Sequence, residues 1–185
     1  IKRIVGPYQD SYSPNGIIGE KDACGVGFIA NIKGIESNWI LKQSLKGLNC
    51  MEHRGGCGGD SDSGDGAGIL CSIPWQYLEE EMNLKNNQDF YRGLGMVFMP
   101  NKKEKIEECK SICEKEAEKL RVKKTFWRTV PVNNEILGPL AKANAPFISQ
   151  WIIYVDKKDN QDIERLLFQL RKRIEKKIRE AFKNH

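Results

Sequence analysis

Long hydrophobic runs are absent from this sequence of 185 residues. No stretch of about 18 apolar residues occurs, which excludes a transmembrane helix of ordinary length. The first 23 residues contain no apolar core of the kind that a secretory signal requires. Six cysteines are too few for a small disulfide-stabilised scaffold. We therefore expect thiols in a reducing compartment.

Charge is plentiful but unevenly distributed. Residues 1–99 hold 9 basic and 12 acidic side chains, whereas residues 100–185 hold 21 and 13. Residues 171–185 alone carry seven Lys or Arg. A nucleic-acid-binding patch would have such a charge. However, Glu175 and Glu180 interrupt the bases at helical spacing, which favours a solvated helix face with internal ion pairs.

The periodicity of apolar residues predicts a mixed α and β chain after a polar, Gly- and Pro-containing leader at residues 1–23. Ser37 is a candidate N-cap for the first helix. Residues 55–68 form a glycine- and aspartate-rich loop, and a second loop lies between the last two strands. The predicted strands are 24–32, 69–73, 91–100, 125–132 and 150–155, and the predicted helices are 37–53, 75–82, 103–120 and 162–182.

Two ligand-binding patterns fail on context. The letters GVGFIA at 25–30 fit a dinucleotide fingerprint, but that motif needs a strand before it and a helix opening within it. Here the run is itself strand-like and follows the leader. The run with Asp60, Asp62 and Asp65 is similar to a calcium loop, yet the loop's glycine and final glutamate are missing.

The other candidate ligands also have simpler interpretations. Cys50, His53 and Cys57 are close enough for zinc, but no fourth ligand lies nearby. Cys109 and Cys113 fall on the apolar face of their helix, where cysteine behaves as a small hydrophobic residue. His53, near a helix end, is more often a dipole partner or a packing residue than a general base.

Cys24 remains, with small neighbours on both sides and a leader that could be removed. Cleavage between Ala23 and Cys24 would place a free α-amino group on the residue that carries the thiol. Such an amine has a pKa of about 7.7–8.0. It could therefore act as the general base for its own side chain, as in N-terminal nucleophile enzymes.

Three stretches carry a family resemblance: DACGVGFIANIKG at 22–34, LNCMEHRGGCGGDSDSGDGAGIL at 48–70 and FWRTVPVNNEILGPLAKANAPFISQWIIY at 126–154. Over residues 18–182 the chain resembles the amino-terminal glutamine amidotransferase domain of the glutamate synthases. The resemblance implies an α+β chain with the four-layer αββα N-terminal-nucleophile hydrolase fold, of which this would be the amino-terminal part. Residues 1–23 would be a propeptide, and the domain at 24–185 would continue beyond the chain.

The resemblance also assigns roles to individual residues. Cys24 matches the nucleophile that attacks the glutamine side-chain amide, and Ala23–Cys24 matches the processing site. Arg54 matches an arginine near the nucleophile and would help to orient the substrate, or it could pair with a neighbouring aspartate. The glycines of GDGAG would allow a close backbone approach or simply make a turn. The resemblance implies that the family's Asn-Gly oxyanion motif lies beyond residue 185. Asn15-Gly16 is the only Asn-Gly pair in this sequence, and it cannot serve because it lies in the leader.

An oxyanion donor contributes about 10²–10³ in rate, so we expect residues 24–185 alone to be a poor glutaminase. For the full enzyme, the resemblance implies that ammonia released from glutamine reacts with 2-oxoglutarate. The ferredoxin-dependent enzymes are the nearer relatives, so ferredoxin is favoured over NAD(P)H as the implied electron donor. FMN and a 3Fe–4S cluster are implied for that enzyme but not for this segment. A plastid or a cyanobacterial or bacterial cytoplasm is the implied location.

Two alternatives stay open. Another class II glutamine amidotransferase would share the cysteine and His-Arg-Gly motifs but not FWRTVPVNNEILGPLA. A non-catalytic module would use the basic helix from Arg171 to bind nucleic acid, and its binding would weaken steeply with salt.

The nucleophile hypothesis predicts the start of the mature chain. The amino-terminal peptide of the active full-length protein is expected to begin at Cys24, since only a free α-amine on that residue can serve as the base. Mass spectrometry of that peptide checks the prediction. Active protein that retains Ala23 would contradict it.

Overall fold

The computed structural model describes residues 25–52, 55, 60, 62–64, 66–84, 88–122, 124–158 and 162–183. The chain divides into two compact units, Ile1–Cys71 and Ser72–His185. Helices and an antiparallel sheet are both present, so the α+β class predicted from the sequence is correct.

The first unit contains helix α1, Asn38–Cys50. Ser37 caps it as predicted, because its Oγ accepts a hydrogen bond from the Ile40 amide at 3.4 Å. The helix ends at Cys50 and so stops short of the predicted end at residue 53. No residue of α1 is fully buried, although apolar side chains line one of its faces.

Both strands predicted between residues 24 and 73 are wrong. Residues 25–32 and 69–73 lie in neither a helix nor a strand. Val26, Phe28 and Leu70 are 89%, 95% and 101% exposed. Apolar alternation gives a segment the propensity for a strand, but a strand exists only where a neighbour completes its hydrogen-bond ladder. Among the described residues these segments have no such neighbour.

The second unit contains the remaining regular elements. In chain order they are α2 (Trp75–Glu81), β1 (Phe90–Met99), α3 (Lys103–Lys119), β2 (Lys124–Thr129), α4 (Pro139–Ala143), β3 (Phe147–Asp156) and α5 (Ile163–Ala181). Each predicted helix and strand after residue 74 is confirmed within a few residues. The predicted loop between β2 and β3 also holds a 3-10 turn, Asn134–Ile136, and the short helix α4.

The three strands form an antiparallel sheet in the order β1-β3-β2. The central strand, β3, is buried on both faces because five consecutive residues, 151–155, are apolar or aromatic. Ile152 and Tyr154 point to the face that α2 covers. Trp151, Ile153 and Val155 point to the opposite face, where α3 and α5 pack.

Helices α3 and α5 cover their face of the sheet with the apolar residues predicted from helical spacing. Cys113 and Ala117 of α3 and Leu166 and Leu170 of α5 are buried in one cluster. Asp162 caps α5 by accepting the Arg165 amide at 3.0 Å. No helix in the described part of the chain has the length and apolar character needed to cross a membrane.

One buried carboxylate joins α3 to α5. Glu116 is 2% exposed and accepts hydrogen bonds from Lys119 Nζ on its own helix and from Arg173 Nε on α5, the latter at 2.8 Å. The hydrogen bond from Lys119, followed by that from Arg173, holds the pKa of Glu116 below its ordinary value of 4.5. A buried charge needs such partners, because desolvation otherwise opposes ionisation.

Glu116→Gln is expected to lower the free energy of unfolding by about 2 kcal/mol at pH 7, since hydrogen bonds to charged groups contribute roughly 1.5–3 kcal/mol. Because the folded pKa is depressed, this contribution is complete above pH 4.5. It disappears as the pH falls through the folded pKa. Urea unfolding at pH 7 and at low pH measures the difference.

Glu118→Gln is the matched control, because Glu118 lies on the same helix but is exposed. Its effect should stay within about 0.5 kcal/mol. Equal destabilisation by both variants would contradict the role given to Glu116.

Candidate functional site

The residues predicted to carry chemistry lie in the first unit. Ala23, Cys24, His53 and Arg54 fall outside the described residues, so their predicted roles stay predictions. The segment that follows Cys24 directly, residues 25–30, is exposed throughout. The structure therefore describes the segment next to the predicted site but not the predicted site residues themselves.

The aspartate- and glycine-rich loop is organised by Asp60. Its Oδ1 accepts the amides of Asp62 and Ser63, and its Oδ2 accepts the Ser63 hydroxyl at 3.0 Å. Gly66 has a φ of +89°, in the region that favours glycine, while a side chain there would meet nothing within 4 Å. Backbone conformation, rather than crowding, therefore explains this glycine, which favours the turn-making interpretation of GDGAG.

The cysteines of α3 are unsuited to nucleophilic chemistry. Cys109 and Cys113 are 5% and 3% exposed. Burial raises the pKa of Cys109, and it raises the pKa of Cys113 to about 12. Both thiols are therefore protonated at neutral pH, and the thiolate is the reactive form. Their predicted role as small hydrophobic residues is confirmed.

A buried polar cluster, which sequence reasoning missed, fixes α2 to the sheet. Glu79 of α2 is 7% exposed, and its Oε1 accepts from Arg92 Nη1 at 2.7 Å and from the Tyr154 hydroxyl at 3.3 Å. The Arg92 guanidinium also lies 4.9 Å from the centre of the Trp75 ring. Burial, and then the charge of Glu79, raise the pKa of Tyr154. This hydroxyl therefore remains a donor at neutral pH.

A second ion pair joins α2 to β2, the strand on the opposite edge of the sheet from β1. Arg128 of β2 donates from Nε and Nη2 to the two carboxylate oxygens of Glu81, each at 2.9 Å. Its Nη1 donates to Gln150 Oε1 at 2.9 Å. Hydrogen bonds from Arg128 and then from Tyr77 hold the pKa of Glu81 below its ordinary value. Arg92 of β1 and Arg128 of β2 thus fix α2 over the central strand β3, one from each side.

The two aromatic residues that precede Arg128, Phe126 and Trp127, also have structural roles. Trp127 stacks on Trp151 with ring centres 5.2 Å apart, and its Nε1 donates to Glu114 of α3 at 2.8 Å. Phe126 meets Tyr154 edge-on on the opposite face. These two residues thus pack one strand against helices on both faces. The only sequence signal for these ion pairs was the run of three glutamates at the end of α2. The sequence does not show which arginines of distant strands would pair with them.

The basic face of α5 contains the predicted internal ion pairs. Glu175 pairs with Arg171, Lys172 and Arg179, and Glu180 pairs with Lys177. Among the described residues, no group of three His, Cys, Asp or Glu side chains could hold a metal ion. The basic residues Arg171, Lys172, Lys177 and Arg179 of α5 thus lie in ion pairs on their own helix.

Comparison with known proteins assigns the family. A profile described as class II glutamine amidotransferases matches residues 24–185. The chain belongs to the class II glutamine amidotransferases. The match covers most of the chain, including the second unit, whose polar contacts give no indication of this chemistry by themselves.

Individual relatives narrow the assignment of this amidotransferase chain. It is 43% identical, over 88% of its length, to ferredoxin-dependent glutamate synthase 1 of Arabidopsis thaliana. It is 42% identical over 95% of its length to the rice enzyme and 41% over 90% to glutamate synthase 2 of Synechocystis. It spans about a tenth of the length of these relatives and matches the glutaminase part of ferredoxin-dependent glutamate synthase.

Thiol labelling should separate structural from accessible cysteines. At pH 8, iodoacetamide is expected to modify Cys71, which is exposed, and to leave Cys109 and Cys113 unmodified until the chain is unfolded. The reason is that burial both shields these two thiols and raises the pKa of each. Peptide mass spectrometry over time measures the rates, with urea-unfolded protein as the control. Native modification of Cys113 as fast as that of Cys71 would refute the assignment.

Proposed function

We propose that this chain carries the glutaminase activity of a ferredoxin-dependent glutamate synthase and that Cys24 is its nucleophile. The observation that carries the proposal is that the family match begins at Cys24 itself. An N-terminal nucleophile must be the first residue of its mature domain. The similarity of about 40% to three ferredoxin-dependent enzymes supports the choice of enzyme.

Removal of residues 1–23 would create the general base. The α-amine of Cys24, with a pKa of about 7.7–8.0, is partly unprotonated at neutral pH. It takes the proton of the adjacent thiol as the sulfur attacks the side-chain carbonyl carbon of glutamine. It then returns this proton to the departing nitrogen, and ammonia leaves.

The second half of the reaction releases the product. The attack leaves a γ-glutamyl thioester on Cys24 Sγ. Water, activated by the same α-amine, adds to the thioester carbonyl, and the C–S bond breaks to give glutamate and the thiol. In this proposal Arg54 binds the substrate, because a guanidinium can hold the α-carboxylate of glutamine with two parallel hydrogen bonds.

The four-layer αββα fold is part of the proposal. The sheet face opposite α3 and α5 is only partly covered by α2, since Met96 and Phe98 on that face are 49% and 64% exposed. A second sheet packed on this face would remove these side chains from water. That arrangement, with helices outside and two sheets inside, is the architecture of the N-terminal-nucleophile hydrolases.

In the full enzyme, we propose that the ammonia reacts with 2-oxoglutarate and reduced ferredoxin to form glutamate. FMN and a 3Fe–4S cluster would supply the electron transfer. We assign no residue of this chain to either group, because the buried thiols of Cys109 and Cys113 are protonated and lie within a packed core. The sources of the relatives support a plastid or a cyanobacterial cytoplasm as the proposed location.

Cys24→Ala tests the function in the full-length enzyme. Glutamine-dependent glutamate formation is expected to fall to background, because the nucleophile and its attacking sulfur are lost. Formation from added ammonia should persist, since it needs no glutaminase step. Both rates are measured as production of glutamate from 2-oxoglutarate with reduced ferredoxin.

Cys71→Ala is the matched control, because Cys71 is exposed and belongs to the same unit. It should leave both rates unchanged. If the Cys24→Ala enzyme still used glutamine, Cys24 would not be the nucleophile. If it lost both activities, the change would not act on the glutaminase step alone.

A further inference from the structure

The solvent face of α5 carries a straight row of positive charge. Four basic residues form it: Arg165, Lys172, Lys176 and Arg179. At about 3.6 residues per turn, they fall within an arc of about 60° and extend over about 21 Å of the helix. All four side chains are exposed. We call this row the basic stripe.

The basic stripe lies on the side of α5 that points away from the core. It is opposite Leu170, which is fully buried, and Ile174, which packs against the same cluster. The three acidic residues of α5, Glu164, Glu175 and Glu180, all lie outside the arc of the stripe. Positive charge therefore occupies the most exposed line of the helix, and negative charge is confined to its flanks.

Ion pairs within α5 neutralise only part of this charge. Arg165 and Lys176 form no ion pair with any residue that the structure describes. Glu175 is shared by three bases, Arg171, Lys172 and Arg179. One carboxylate can balance only one of these three charges, so a positive surplus remains along the stripe.

The neighbouring helix α3 limits the width of a negatively charged partner. It contains six acidic and five basic residues, so the positive surplus of this helical layer belongs to α5. A nucleic-acid duplex or an anionic bilayer that reached across both helices would meet the carboxylates of α3 and those on the flanks of the stripe. A narrow row of negative charge avoids this repulsion.

The spacing of the stripe favours a helix as the source of that row. Lys172, Lys176 and Arg179 are separated along the axis by about 6.0 and 4.5 Å. Carboxylates at the same intervals lie on one face of an acidic helix, because residues three and four apart are neighbours there. Side chains on one face of an extended strand recur about every 6.6–6.8 Å, which is longer than both intervals.

We propose that the basic stripe docks an acidic helix of a partner protein, whose carboxylates pair with the four bases. The inference goes beyond glutamine hydrolysis and does not depend on it, since α5 belongs to the second unit and the predicted nucleophile to the first. Complementary charges of this kind speed association and fix the register of the partner. Their effect decreases as added salt screens the exposed groups.

Titration of the full-length protein with a fluorescent acidic peptide tests the proposal. The peptide is helical and has glutamates at the intervals of the stripe, and its counterpart has glutamines at those positions. At low salt the acidic peptide should bind, seen as increased fluorescence anisotropy, and the glutamine peptide should not. The triple variant Arg165→Gln, Lys172→Gln, Lys176→Gln should weaken binding at least about tenfold, because three exposed ion pairs are lost together.

A second triple variant, Lys103→Gln, Lys115→Gln, Arg121→Gln, is the matched control. It removes the same charge from exposed positions outside the stripe. Its affinity for the peptide should change by no more than about twofold, since salt screens distant exposed charges. Equal weakening by both triple variants would overturn the proposal, because net charge rather than the stripe would then attract the peptide. Failure of the unmodified protein to bind the acidic peptide would overturn it as well.

Carbodiimide cross-linking locates the bound peptide. The reagent joins a carboxylate to an amine in contact with it, so cross-links to Lys172 and Lys176 support the proposal. Cross-links confined to other lysines would overturn it.

The titration is repeated with duplex DNA, with single-stranded RNA and with vesicles of phosphatidylserine and phosphatidylcholine. Each should bind more weakly than the acidic peptide at the same salt concentration, because the carboxylates beside the stripe repel a broad polyanion. Tighter binding of any of them that is lost in the stripe variant would make a phosphate-bearing polyanion the ligand. That result would overturn the assignment to an acidic helix.

Discussion

Burial of β3 on both faces is the constraint on which the second unit depends. A strand that hides five consecutive side chains needs a helical layer on each side, and the sheet can extend only sideways. The helices α3 and α5 supply one layer through Cys113, Ala117 and Leu170. The short helix α2 supplies the other, over Ile152 and Tyr154.

Helix α2 is only seven residues long, so polar contacts are needed to hold it on the sheet in addition to its apolar packing. Its apolar contribution centres on Leu78, the one apolar residue of α2 that is fully buried. Glu79 and Glu81 add ion pairs to arginines on the two outer strands. Partial burial strengthens such pairs, since water screens them less. Residues 126–128 thus act in packing, through Phe126 and Trp127, and in fixing α2, through Arg128.

The described cysteines of α3 differ in setting from Cys24, the nucleophile of the proposed function. In a packed helix face, burial keeps Cys109 and Cys113 protonated and shielded. A cysteine at a chain terminus would carry its own base with a pKa near neutrality. The same residue type therefore serves as a core hydrophobe in one unit and as a candidate nucleophile in the other.

Sequence alone determined the elements whose periodicity is strong and local: the cap at Ser37, the helices α3 and α5, and the paired charges around Glu175. Motifs alone also indicated the family, because Cys24 and the loop that follows α1 are contiguous signals. Tertiary structure decided whether an apolar stretch with strand propensity became a strand. It did so for residues 147–156, which have neighbours on both sides, and not for residues 25–32, which have none among the described residues.

The partners of Glu79, Glu81 and Glu116 were likewise decided only by the fold. Each contact with an arginine joins residues that are at least 13 positions apart. The physical reason is that helical periodicity and capping act within a few residues. Sheet pairing and buried ion pairs depend on which distant segments the chain brings together.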